Sequence, residues 1–157
     1  MISKTATSSV TRASMSPPSP NPNPSTYCRD MENWPRSWMG LDKDLPPGEV
    51  LLACFRPFLA HLASSRLSRK TIRKHADNLW MLGGEIIRDL HEDPSLRKVA
   101  IDRLLGNVIT EDGGPLLYHS SEEEQRSFDS TCRKFRRFLS STSALSLQVT
   151  HRFPGRD

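Results

Sequence analysis

Arg66-Leu67-Ser68-Arg69-Lys70-Thr71-Ile72-Arg73-Lys74 carries five cations and no acid, and it opens into the most regular apolar pattern of the chain. Ser68 is suited to cap a helix, because its hydroxyl accepts a hydrogen bond from a free amide of the first turn. From there Ile72, Ala76, Leu79, Gly83, Ile86 and Leu90 recur at spacings of four and three, which is one apolar stripe of a helix. Arg69, Lys70, Arg73 and Lys74 fall mostly off that stripe. Two readings follow. The cations are a solvated face, as charge runs usually are, or they sit against a polyanion such as nucleic acid.

Three more helices are expected around this one. The first covers roughly residues 48–64, with Leu51, Leu52, Phe55, Phe58, Leu59 and Leu62 facing inward. Pro57 lies inside it, so a kink or a late start is expected. Gly83-Gly84 weaken the second helix, and close approach of another helix is the expected compensation. Asp93-Pro94 is a start signal, with Asp as cap and Pro at the first helical position. The third helix follows through Leu96, Val99, Ala100, Leu104 and Leu105, ending at Gly106-Asn107. Ser120 to Glu123 and Ser121 to Glu124 are overlapping capping boxes for a fourth helix. It places Phe128, Thr131, Cys132, Phe135, Phe138 and Leu139 on one face. No segment alternates with period two, so the class is all-α, a four-helix bundle with antiparallel neighbours.

Composition sets the limits of the folded part. The chain has 157 residues, 36% of them hydrophobic, which is low for a fully packed chain and implies unfolded portions. Residues 1–30 are rich in Ser, Pro and Asn and are expected to be a disordered tail; Met31 is also a plausible start site. Residues 31–47, with Trp34, Trp38 and Leu41, read as an extended arm whose tryptophans pack on the domain. The helical domain is expected over 48–141, and residues 142–157 as a flexible tail. Net charge is only +4, so any binding to a polyanion rests on local clusters. No run approaches the roughly 18 apolar residues that span a bilayer, and no secretory signal is seen. Cys28, Cys54 and Cys132 lack framework spacing, which fits a reducing compartment, the cytoplasm, with nucleoid association if DNA is bound.

The pattern Phe58-Leu59-x-x-Leu62, a short turn, then Leu67-Ser68-x-x-Thr71-Ile72 and Leu79 resembles the first two helices of the core-binding, or SAM-like, domain of tyrosine recombinases and phage integrases. The likeness covers about residues 49–141 as an arrangement of four helices, but only 58–79 carry its motif. It implies one half of a clamp around double-stranded DNA. Carried over by position, it implies DNA contacts from Arg66, Arg69, Lys70, Arg73 and Lys74, and from Arg133, Lys134, Arg136 and Arg137 on the fourth helix. The residues alone reach the same groups, since Arg133-Lys134-Phe135-Arg136-Arg137 is a second basic cluster beside an aromatic face. Phosphate contacts carry no sequence information, so Thr71 and Asn78 are the candidate base readers, with Asn78 equally a solvated or helix–helix polar residue.

The departure from that family is as informative. The family's catalytic domain supplies a tyrosine nucleophile with arginine, lysine and histidine. Sixteen residues follow Ser141 here (157 − 141), with no tyrosine, and Tyr27 and Tyr118 lack the surrounding motif. The expectation is a non-enzymatic chain, either a stand-alone DNA-binding arm or the stump of a truncated integrase. The alternative is a helical accessory module that pairs with a full-length recombinase or with itself, using the Trp34–Trp38 arm. His61, His75 and His91 have no histidine or cysteine four residues away, so no metal and no cofactor are expected. Cys54 and Cys132 read as small buried hydrophobes. Glu122, Glu123 and Glu124 suit the dipole of a helix start.

Overall fold

The computed structural model describes residues 30 to 152, with side chains as far as residue 142. Most of the tail expected over residues 1–30 lies outside that range. The chain is all-α, and among the described residues the only extended pairing is a single bridge between Thr110 and Gly113. Among the described residues five helices follow one another: α1 Trp34–Trp38, α2 Leu45–Ala63, α3 Arg69–Glu92, α4 Ile101–Val108 and α5 Glu122–Arg152. One-turn 3-10 segments occupy Met31–Asn33, Asp42–Asp44 and Pro94–Lys98.

The helix starts come from side chains that satisfy free amides. Ser68 Oγ accepts the Thr71 amide at 3.2 Å and donates to Thr71 Oγ1 at 3.0 Å, so the cap of α3 is as expected. Ser121 Oγ accepts the Glu124 amide at 3.1 Å and caps α5, whereas Ser120 donates to the Leu117 carbonyl and takes no part in the cap. Pro57 does not delay α2. That helix starts earlier than expected, at Leu45, and runs through the proline, where both Pro57 and Ala53, whose carbonyl loses its partner, are exposed to water.

The expected third helix is two pieces. Leu96 and Val99 belong to one phase, and a continued helix would next turn Arg103 and Asn107 inward. Ile101, Leu104, Leu105 and Val108 belong to another. The backbone changes phase at Val99 and Ala100, both extended, and the new helix runs past Gly106 to Val108. Helix α5 continues to Arg152, into the residues expected to form the C-terminal tail.

The core gathers the expected faces of α2, α3 and α5, with Leu104 and Leu105 of α4. It also includes Met31, Trp34 and Trp38, so the segment read as an extended arm is a helical part of the domain. Trp34 and Trp38 lie 6.0 Å apart between ring centroids, and Trp38 meets Phe55 edge-on at 6.3 Å. The aromatic chain continues from Phe55 to Phe135 at 5.4 Å, to Phe58 at 5.2 Å and to Phe138 at 5.5 Å. Edge and tilted contacts of this kind suit the ring quadrupole.

Gly83 marks where the tryptophan enters. A Cβ there would stand 2.2 Å from Trp38 Cζ2, so only glycine admits the indole against α3. Trp38 Nε1 donates to the Trp80 carbonyl at 2.9 Å, and Trp80 Nε1 donates to Ser37 Oγ at 2.9 Å. The close approach expected at Gly83-Gly84 therefore exists, and α1 makes it.

Asp44 ties three segments together. Its buried carboxylate accepts the Gly40 and Leu41 amides at 2.8 Å each, Arg97 at 2.7 Å and His91 Nε2 at 2.6 Å. Burial alone would raise its pKa, but the donors, Arg97 foremost, overcome it and hold the carboxyl far below the usual range.

Candidate nucleic-acid interface

Helices α3 and α5 lie side by side and antiparallel, because contacts that move back along α3 move forward along α5. Asn78 Nδ2 donates to Ser127 Oγ and its carbonyl at 3.1 Å and to Thr131 Oγ1 at 2.8 Å. One turn earlier on α3, His75 Nδ1 lies 2.7 Å from Thr131 Oγ1. This buried clasp sets the level of the two basic runs. Burial, then the charges of Lys134 and Lys74, lower the His75 pKa. A neutral imidazole is what this site holds at pH 7, since two neighbouring cations oppose a third.

The cations on α3 defy the local rule for a helix start. The first turn contains no acid, and Arg69 and Lys70 stand at the positive end of the helix dipole. Each such placement costs ~0.3–1 kcal/mol at low salt. Arg66, Arg69, Lys70, Arg73 and Lys74 are exposed. Lys70 and Lys74 share one row four residues apart, and Arg69 and Arg73 share the next. Asp77, one turn on, is the acid nearest that run in sequence; burial raises its pKa, against the pull of Arg73.

The second cluster divides. Arg133 donates to the Asp112 carbonyl at 3.0 Å, and Arg136 lies 4.0 Å from Glu111, so both turn toward the loop between α4 and α5. Lys134 and Arg137 instead line an open groove of about 450 Å³ with Phe58, His61, Leu62 and Phe138. The helical period explains the split: Lys134 and Arg136 flank the inward face of α5 on opposite sides, as residues 200° apart must. Sequence adjacency had joined what the helix separates.

The two candidate base readers are occupied elsewhere. Asn78 is 5% exposed and spends its amide on α5, which makes it a helix–helix clasp and removes it from any reading surface. Thr71 is half-buried and its hydroxyl belongs to the Ser68 cap. The His75–Thr131–Asn78 network was missed in the sequence. A signal existed, because His75 and Asn78 sit one turn apart beside the stripe on α3, and Thr131 lies within the apolar face of α5.

Other chemistry finds little purchase among the described residues. No group of three or more His, Cys, Asp or Glu is placed to hold a metal ion. Cys132 is buried and its thiol is pushed up to about 12 by burial and then by Asp129; burial also raises Cys54. Neither is a poised nucleophile. Among the described residues no helix is long and apolar enough to cross a membrane. No family model matches the chain, and no curated protein or solved structure is similar to it.

Proposed function

We propose that the chain is a non-catalytic DNA-binding module that holds double-stranded DNA against the adjoining faces of α3 and α5, in the manner of the recombinase core-binding arm it resembles. The observation that carries this reading is the buried clasp of His75 and Asn78 on Thr131, which joins α3 to α5 next to Lys74 and one turn before Lys134. It brings the basic start of α3 to the same level as one part of the basic stretch of α5. Arg66, Arg69, Lys70, Arg73, Lys74, Lys134 and Arg137 supply the phosphate contacts, and Arg133 and Arg136, tied to the α4–α5 loop, contribute less. With Asn78 and Thr71 engaged inside the protein, binding depends weakly on sequence.

The test is gel retardation of a duplex by a variant with Arg69, Lys70 and Arg73 all changed to alanine. Retardation disappears while the helical circular dichroism persists; a normal shift by the folded variant refutes the proposed face.

A second reading, a protein-interaction module pairing with a recombinase or with itself, draws on a different surface. Trp34 and Trp38 are buried, so the arm does not serve it. Leu116, Tyr118 and Trp80 remain 71%, 66% and 42% exposed, and Trp80 and Tyr118 border a cavity of about 440 Å³ beside α3. A monomeric mass by size-exclusion with light scattering, and no partner recovered, counts against this reading.

A further inference from the structure

The groove between α2 and α5 brings two kinds of surface together. One wall is aromatic: the His61 ring lies 5.3 Å from Phe138 at a tilt of 37°, over the buried Phe58. The other is cationic. Lys134 and Arg137 are i,i+3 neighbours, about 5–6 Å apart at their Cβ atoms. Among the described residues neither has an acid within ion-pair distance, whereas Arg133 and Arg136 of the same cluster both have partners. The groove is open and about 450 Å³ in volume, which admits a chain passing through it rather than a small molecule enclosed by it.

We propose that this groove binds an unpaired stretch of a DNA strand, with a base stacked on Phe138 and His61 and the adjoining phosphates on Lys134 and Arg137. Stacking on aromatic side chains within a positive groove is how single strands are held without sequence preference, because every base presents a π-face. The site lies at the edge of the duplex-binding face, since Lys134 lines the groove and stands one turn beyond Thr131, on which His75 of α3 closes. A duplex lying on α3 and α5 would therefore present a frayed or overhanging end to it. The inference rests on the duplex reading for its biological setting, but the groove is assayed separately.

The experiment uses the full chain and a short oligothymidylate carrying one central 2-aminopurine, with a blunt duplex measured in parallel. Stacking of the base quenches 2-aminopurine fluorescence on binding. His61→Ala removes an exposed ring outside the core, and Phe138→Leu keeps most of the apolar volume, so the fold is preserved. Each variant weakens single-strand binding by roughly 5- to 150-fold and abolishes the quenching, while duplex affinity stays within about twofold. Arg69, Lys70 and Arg73 changed together to alanine do the reverse, lowering duplex affinity more than single-strand affinity. Unchanged single-strand affinity in both ring variants, an equal loss on duplex, or no strand binding by the native chain overturns the groove assignment. Loss of duplex binding alone in the triple variant leaves the duplex reading intact whatever the groove does.

Discussion

Alanine at Gly83 and alanine at Gly84 are expected to have opposite effects, although the two glycines are neighbours in one helix. A Cβ on Gly83 meets Trp38 at 2.2, 2.5 and 2.6 Å, closer than packed carbon atoms approach. The indole cannot retreat, because Nε1 is held by the Trp80 carbonyl and the ring is packed against Trp34 and Phe55. Overpacking of a core costs ~1–3 kcal/mol, and expelling Trp38 costs about 3–5 kcal/mol. Helix propensity returns only ~1 kcal/mol on replacing glycine. Gly83→Ala therefore loses about 2 kcal/mol, or roughly 6–10 °C in Tm for a domain of this size. A Cβ on Gly84 finds only Trp38 Cδ1 at 3.5 Å and Nε1 at 3.9 Å, which are ordinary contacts. Gly84→Ala then keeps its propensity gain, up to ~1 kcal/mol. Urea unfolding followed by tryptophan fluorescence measures both. In the double variant with Trp38→Leu the cost of Gly83→Ala shrinks, because the two residues are coupled. Equal stabilisation by both single alanines would refute the claim that α1 packs its indole onto α3.

Three other outcomes follow from the buried polar groups. Asp44→Asn leaves Arg97 beside an uncharged amide and lowers stability by about 3 kcal/mol in chemical denaturation, since breaking a buried pair is costly. The native chain also loses stability in acid. The Asp44 pKa is depressed by folding, so its contribution is present above the unfolded carboxyl value near 4 and is lost as pH falls below that. The His75 pKa is also depressed, and because that imidazole is neutral when folded, stability begins to fall below about pH 6.5. A midpoint of urea unfolding that does not move between pH 7 and pH 4 contradicts the His75 claim, and one that does not move between pH 4 and pH 2 contradicts the Asp44 claim. Asn78→Ala costs ~1–3 kcal/mol by leaving Thr131 and Ser127 without their donor, and duplex selection experiments find its sequence preference unchanged.

The helices were legible because periodicity and caps are local. Ser68, Ser121 and the stripes of α2, α3 and α5 state their roles within a few residues of themselves. What was not legible depended on distant partners. Trp34 and Trp38 looked like an arm because of Pro35 and the Pro46-Pro47 pair, but a five-residue helix with Pro35 in its first turn suffices to bury two indoles when Gly83 leaves room. The Asp44 junction joins residues 40, 44, 91 and 97, and periodicity does not register such a knot. One signal was present: Asp44 precedes Leu45-Pro46 much as Asp93 precedes Pro94, and an acid just before a proline marks a helix start. At the interface, the cations of α3 were found by composition, but the basic stretch of α5 was read as one patch. Its helical phase divides it between the groove and the α4–α5 loop.

The salt dependence of duplex affinity tests the central claim most directly. Seven cations on α3, its preceding turn and α5 give a slope of log K against log salt approaching −6, at about 0.9 per phosphate. Alanine at Arg69, Lys70 and Arg73 reduces that slope by about 2–3. A native slope near zero, or one unchanged in the folded triple variant, contradicts a DNA grip centred on the start of α3.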